Sequence, residues 1–95
     1  MKTRTSKNVF HDLGFRPEEA ENLRIRSVLM ILLTEHIRRE SLTQKEAAEN
    51  LGVTQPRISD LMRGKIDVFS IDTLIAMLAR VGLKTTIRVG KKKVA

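Results

Sequence analysis

The 95-residue chain has no cysteine, no tryptophan and no tyrosine, and only three phenylalanines and two prolines. Without cysteine there is no disulfide framework, no thiolate zinc site and no thiol nucleophile, a composition that suits a reducing cytosol. With so few aromatic rings the chain lacks the stacking platforms on which proteins that bind single-stranded RNA rely. The longest unbroken apolar run, residues 28–33, is six residues, where a membrane span needs about 20. The opening Met1-Lys2-Thr3-Arg4 has no apolar stretch behind it and does not read as a secretory signal. The single histidines, His11 and His36, have no cysteine or spaced carboxylates near them in sequence, so no metal or other cofactor is expected. No serine stands in a His and Asp context that would make it a nucleophile, and no enzymatic role is expected.

What remains is a small, basic chain with one modest core. Lys and Arg number 18 against 11 Asp and Glu, a formal charge of +7, and 41% of residues are apolar. An excess this large points to an acidic partner, most commonly nucleic acid. The charge sits at the ends. Residues 1–16 carry four bases and one acid, residues 84–95 five bases and no acid, and the stretch between them nine bases and ten acids.

That middle stretch reads as four helices. Pro17 opens the first, which runs to Glu40. Leu23, Val28, Leu29, Leu32, Leu33 and Ile37 lie at helical spacing on one face, Glu18, Glu19 and Glu21 complement its positive end, and Arg38 and Arg39 its negative end. Thr43-Gln44-Lys45-Glu46 is a capping box for a second helix that ends near Asn50 and stops at Gly52. Thr54 caps a third, with Pro56 in its first turn, Ile58, Leu61 and Met62 inward, and Gly64 as the stop. Ser70 or Asp72 opens a fourth, which carries Leu74, Ile75 and Leu78 to Gly82. Met30, Met62 and Met77 fall at core or near-core positions.

After Gly82 the period becomes two. Leu83, Thr85, Ile87 and Val89 alternate with Lys84, Thr86 and Arg88, which predicts a strand over residues 83–90 followed by a basic tail at 91–95. A lone strand is unstable, and the other candidate, Asn8-Val9-Phe10, is short. The expected partner is the same strand of a second subunit, with a local hairpin or a frayed tail as the alternatives.

Two short helices separated by Gly52-Val53-Thr54 have the spacing of a helix-turn-helix, whose second helix enters the major groove of duplex DNA while the first crosses the backbone. The third helix leaves Gln55, Pro56, Arg57, Ser59, Asp60 and Arg63 outside its apolar side. Gln55, beside the Thr54 cap, matches the adenine N6/N7 edge. Arg57 suits either guanine or a phosphate, Ser59 and Arg63 suit phosphates, and Asp60 can accept from cytosine N4 or orient Arg57 or Arg63. Thr43, Lys45 and Lys65 stand where further phosphate contacts fit. Each of these polar residues also has a plain reading as solvated surface. Residues 43–65 hold four bases and three acids, so charge alone does not make the reading head.

The string from Thr43 to Gly64, with Gln44 at the first helix start, small Ala48, Gly52 in the turn, Val53 and Ile58, resembles the Cro and phage-repressor (XRE) family. The resemblance covers roughly residues 23–82. It implies an all-α fold of four to five helices over residues 17–82, to which the C-terminal strand adds a pairing element, and a phosphate contact at Gln44. It also implies a cytoplasmic transcriptional regulator.

The opening Asn8-Val9-Phe10-His11-Asp12-Leu13-Gly14-Phe15 and the closing strand also resemble the HigA-like antitoxins of that family. This implies a toxin partner, a ribosome-dependent messenger RNA endonuclease of the RelE/HigB type, and autorepression of the operon as a homodimer. A solitary repressor shares the pattern, and an RNA-binding or ribonuclease toxin is a further class of similar size. Residues 1–16 form a basic arm whose apolar Val9, Phe10 and Leu13 either bind that toxin or simply cover the first helix.

Overall fold

The computed structural model describes residues 9–91. It contains α1 (Val9–Asp12), α2 (Pro17–Arg39), α3 (Gln44–Leu51), α4 (Gln55–Met62), a 3-10 turn (Ile66–Val68) and α5 (Ile71–Arg80). The architecture is all-α, as the family resemblance implies, and no strand occurs among the described residues. The basic residues Lys2, Arg4, Lys7, Lys92 and Lys93 of the arm and tail lie outside the described residues. No described helix is long and apolar enough to cross a membrane.

The caps follow the sequence closely. Thr43 Oγ1 accepts from the Glu46 backbone N–H at 3.1 Å, and the Glu46 carboxylate accepts from the Thr43 N–H at 2.8 Å. Thr54 Oγ1 accepts from the Arg57 N–H, and Ser70, rather than Asp72, caps α5 by accepting from the Thr73 N–H. At the start of α2 no side-chain oxygen caps from position 16. Instead the exposed Glu19 carboxylate reaches back and accepts from both the backbone N–H and Nε of Arg16 at 3.2 Å. The Arg16 guanidinium thereby holds the Glu19 carboxyl below its ordinary value of 4.5.

Gly64 ends α4 with φ +71°. The Gly64 N–H donates to the Leu61 carbonyl and the Lys65 N–H to the Asp60 carbonyl, both at 3.0 Å, the paired bonds of a Schellman turn. The same turn ends α2 at Ser41, the one described non-glycine residue with positive φ, +54°. A β-carbon in the left-handed region is strained, so Ser41 holds a conformation that glycine adopts at lower cost.

The core is one cluster that takes Leu29, Met30, Leu33 and Ile37 from α2, Ala47, Ala48 and Leu51 from α3, Ile58 and Leu61 from α4, and Leu74, Met77 and Leu78 from α5. Phe69 joins it, 2% exposed, just before α5. With Leu74, fully buried, it occupies the two positions of a hydrophobic staple around the Ser70 cap. Burying a side chain of this size contributes about 1.5–3 kcal/mol.

Two expectations are corrected. The apolar face assigned to α2 includes Leu32, which is 46% exposed, and omits Ala20, which is buried, while Met30 is buried as expected. At 100° per residue Met30 falls beside Leu23 and Leu33, and Leu32 falls on the outer edge next to half-buried Val28. Val9 and Phe10 of the short Asn8-Val9-Phe10 strand candidate are helical, in Val9–Asp12, and Asn8 lies outside the described residues. Residues 83–91 have no ladder partner among the described residues of the single chain, and the expected pairing is with a second subunit. The backbone of Leu83 completes the end of α5 by donating to the Leu78 carbonyl at 3.0 Å, and the rest borders a groove walled by Ile25, Val28, Ile71 and Ile75.

Candidate nucleic-acid interface

α3 and α4 pack on each other across the turn at Gly52 and Val53. Gly52 has φ +72°, and a β-carbon there would stand 2.6 Å from Arg80 Nε. The left-handed turn is what calls for glycine, and the atoms a β-carbon would meet are the movable end of the exposed Arg80 side chain. α4 buries Ile58 and Leu61 and half-buries Met62 against the core. Helical geometry then leaves Gln55, Pro56, Arg57, Ser59 and Asp60 on the remaining surface, with Arg63 as the C-cap. Thr43, Gln44, Lys45, Thr54, Gln55, Pro56, Arg57, Arg63 and Lys65 are all exposed, while Ser59 and Asp60 are half-buried. The first turn of α3 opens outward beside the Thr43 hydroxyl cap, an arrangement suited to phosphate oxygens, whereas in the first turn of α4 Pro56 has no N–H and the Arg57 N–H is taken by Thr54.

One acid organises the cations. The Asp60 carboxylate stands 3.8 Å from Arg57 Nη1, 3.8 Å from Arg63 Nη2 and 3.8 Å from Lys65 Nζ. Its side chain is 21% exposed and those of its three partners about half exposed, at 47%, 62% and 50%. At this separation the pairs are Coulombic rather than hydrogen-bonded. The helix spacing i−3 and i+3 accounts for Arg57 and Arg63, and the Schellman turn at Gly64 brings Lys65 back to the same carboxylate.

Arg57 is held more fully than the others. Its Nη1 also donates to the Val68 carbonyl at 3.4 Å, and its guanidinium carbon lies 5.9 Å from the Phe69 ring centre. The guanidinium therefore rests over the 66–69 loop beside the start of α4. Sequence reasoning missed that loop. Phe69 carries a local signal, an aromatic one residue before a serine cap, but the contact of Arg57 with Val68 carries none.

The other two groups of residues lie elsewhere. Val9 and Leu13 are 55% and 71% exposed, while Phe10 is half-buried with its ring edge-on to Phe15 at 6.2 Å. α1 packs on α2, so the arm's helix is anchored through that side, with Val9 outward on it and Leu13 outward in the turn that follows. In the C-terminal segment Leu83, Ile87 and Val89 are exposed and Thr85 is half-buried.

Comparison with known proteins gives matches of two kinds. A family model described as a helix-turn-helix domain matches residues 9–90. A solved structure described as an XRE family transcriptional regulator superposes with a TM-score of 0.74 at 31% identity, covering 81% of this chain and 90% of that one. No curated protein matches the chain.

Proposed function

The chain belongs to the helix-turn-helix family of XRE-type DNA-binding regulators, and from that premise we propose that it is a sequence-specific regulator that reads duplex DNA with α4 as a dimer. The observation that carries this reading is the first turn of α4. It presents Gln55, Pro56 and Arg57 together, outward, from a helix whose opposite side is locked into the core by Ile58 and Leu61.

In this reading Gln55 pairs with an adenine edge, and Arg57 takes a guanine or the adjoining phosphate from its seat over the 66–69 loop. Ser59 and Arg63 hold phosphates, Thr43, Gln44 and Lys45 hold the flanking backbone at the start of α3, and Lys65 adds a contact beyond α4. Asp60 orients the three cations around it. The dimer forms through Leu83, Thr85, Ile87 and Val89, whose segment has no backbone partner among the described residues along 84–90 and carries outward apolar side chains that a second copy can cover. Two subunits would read half-sites about 34 Å apart. The protein would act in the cytoplasm, on its own operator.

A second layer rests on α1. Val9, in α1, and Leu13, in the turn that follows it, stand outward while α1 is docked on α2, which favours a protein partner for the arm over a covering role alone. That partner is a toxin of the RelE/HigB type, and the regulator is its antitoxin. Deleting residues 1–14 should abolish toxin binding and leave operator binding measurable. A truncated protein that still neutralised the toxin would refute the arm's role.

The direct test of DNA reading is selection from a randomised duplex pool by the full chain, followed by footprinting. Enrichment of a two-fold symmetric site with half-sites one helical turn apart supports the reading. No enrichment, or tighter binding of RNA than of duplex DNA, overturns it.

A further inference from the structure

The loop that seats Arg57 does not hold itself. Its 3-10 turn closes on long bonds, Val68 N–H to the Lys65 carbonyl at 3.3 Å and Phe69 N–H to the Ile66 carbonyl at 3.4 Å, as expected of a geometry that is poor beyond a few residues. A residue from the far side of the core ties it down. Arg26, half-buried in α2, donates from Nη1 to the Ile66 carbonyl at 3.1 Å and to the Phe69 carbonyl at 3.3 Å. Its Nε donates to Asn22 Oδ1 at 2.7 Å, which fixes the plane of the guanidinium. Between the two anchored carbonyls lie the groups that hold Arg57, the Val68 carbonyl and the Phe69 ring.

We infer that Arg26 is a positioning residue for DNA recognition, holding the 66–69 loop against α2 so that Arg57 is set at the edge of α4. The inference rests on the proposed DNA reading and adds to it a residue that touches no nucleic acid. Asn22, Arg26, the loop and Arg57 form one contiguous line from α2 to the reading helix. Because Arg26 acts through Arg57, its removal affects the preference for the operator and leaves general attraction to duplex DNA intact.

The test measures binding of the full chain to the enriched operator and to a random duplex over a series of salt concentrations. Arg26→Met should reduce the preference for operator over random duplex roughly tenfold. Random-duplex affinity and the salt slope should stay as in the wild type, and in an Arg57→Ala background Arg26→Met should cost nothing further. Asn22→Ala, a milder change that leaves the carbonyl bonds in place, should act in the same direction by a smaller factor and carries the test if Arg26→Met fails to fold by circular dichroism. An equal loss with and without Arg57, or an unchanged preference in a folded variant, overturns the inference. So does a salt slope reduced by about one, the mark of a direct phosphate contact. Failure of the wild-type chain itself to prefer any duplex would instead defeat the parent reading, and is seen without any variant.

Discussion

Replacing Asp60 with asparagine keeps the shape of α4 and removes its one acid. The carboxylate faces three cations, each at 3.8 Å and each about half exposed. Pairs of this kind contribute roughly 0–1 kcal/mol, and three sharing one carboxylate sum to about 1 kcal/mol. Asp60→Asn should therefore lower the melting temperature by no more than about 4–8 °C. On DNA the sign reverses. The cluster of Arg57, Arg63, Lys65 and Asp60 goes from a net +2 to +3, which is equivalent to one more neutralised phosphate. The slope of log affinity against log salt should steepen by about 0.9, an eightfold gain for random duplex at about 0.1 M salt relative to 1 M. Fluorescence anisotropy across that range reads both. The operator should gain less, because Arg57 and Arg63 lose their orientation, so the preference ratio falls. A flat or shallower slope would refute the counterion role of Asp60. Loss of discrimination at one base pair with no change in slope would show instead that the carboxylate reads cytosine N4.

Three other perturbations test separate parts of the account. Ser41→Gly should stabilise the fold by about 0.5–1 kcal/mol, since glycine relieves the positive φ that ends α2; chemical denaturation measures it, and destabilisation would show that the Ser41 side chain matters more than its backbone. Ile87→Lys with Val89→Lys, at sites 75% and 90% exposed, should leave the folded chain intact and convert dimers to monomers by light scattering; an unchanged mass would move the interface elsewhere. The Glu19 carboxyl should titrate below 4.5 and return toward that value in Arg16→Ala, as followed by NMR. Because the folded value is depressed, its contribution to stability is present above the unfolded value and is lost as pH falls through the folded one.

The sequence announces what is local. Thr43, Glu46, Thr54 and Ser70 cap their helices with bonds that span three residues, so spacing alone locates them. The inward set of α4 is legible for the same reason. The outer face of α2 is less so, because a 23-residue helix longer than its neighbours leaves Ile31 and Leu32 uncovered while keeping the same apolar composition. What escapes is long-range. Arg26 meets the Ile66 and Phe69 carbonyls across 40 and 43 residues, and no pattern in the chain pairs them. The strand at residues 83–90 is legible as a period of two, yet a strand exists only with a partner, and the described residues of the single chain supply none.

The central claim is that α4 reads sequence while the start of α3 grips the backbone, and one comparison tests it most directly. The affinities of Gln55→Ala and Gln44→Ala are measured on the enriched operator, on the operator changed at each base pair, and on random duplex. Gln55→Ala should lose about 1–3 kcal/mol of discrimination at one base position and bind random duplex as the wild type does, whereas Gln44→Ala should weaken every duplex alike. Equal losses on operator and random DNA for Gln55→Ala would contradict the account.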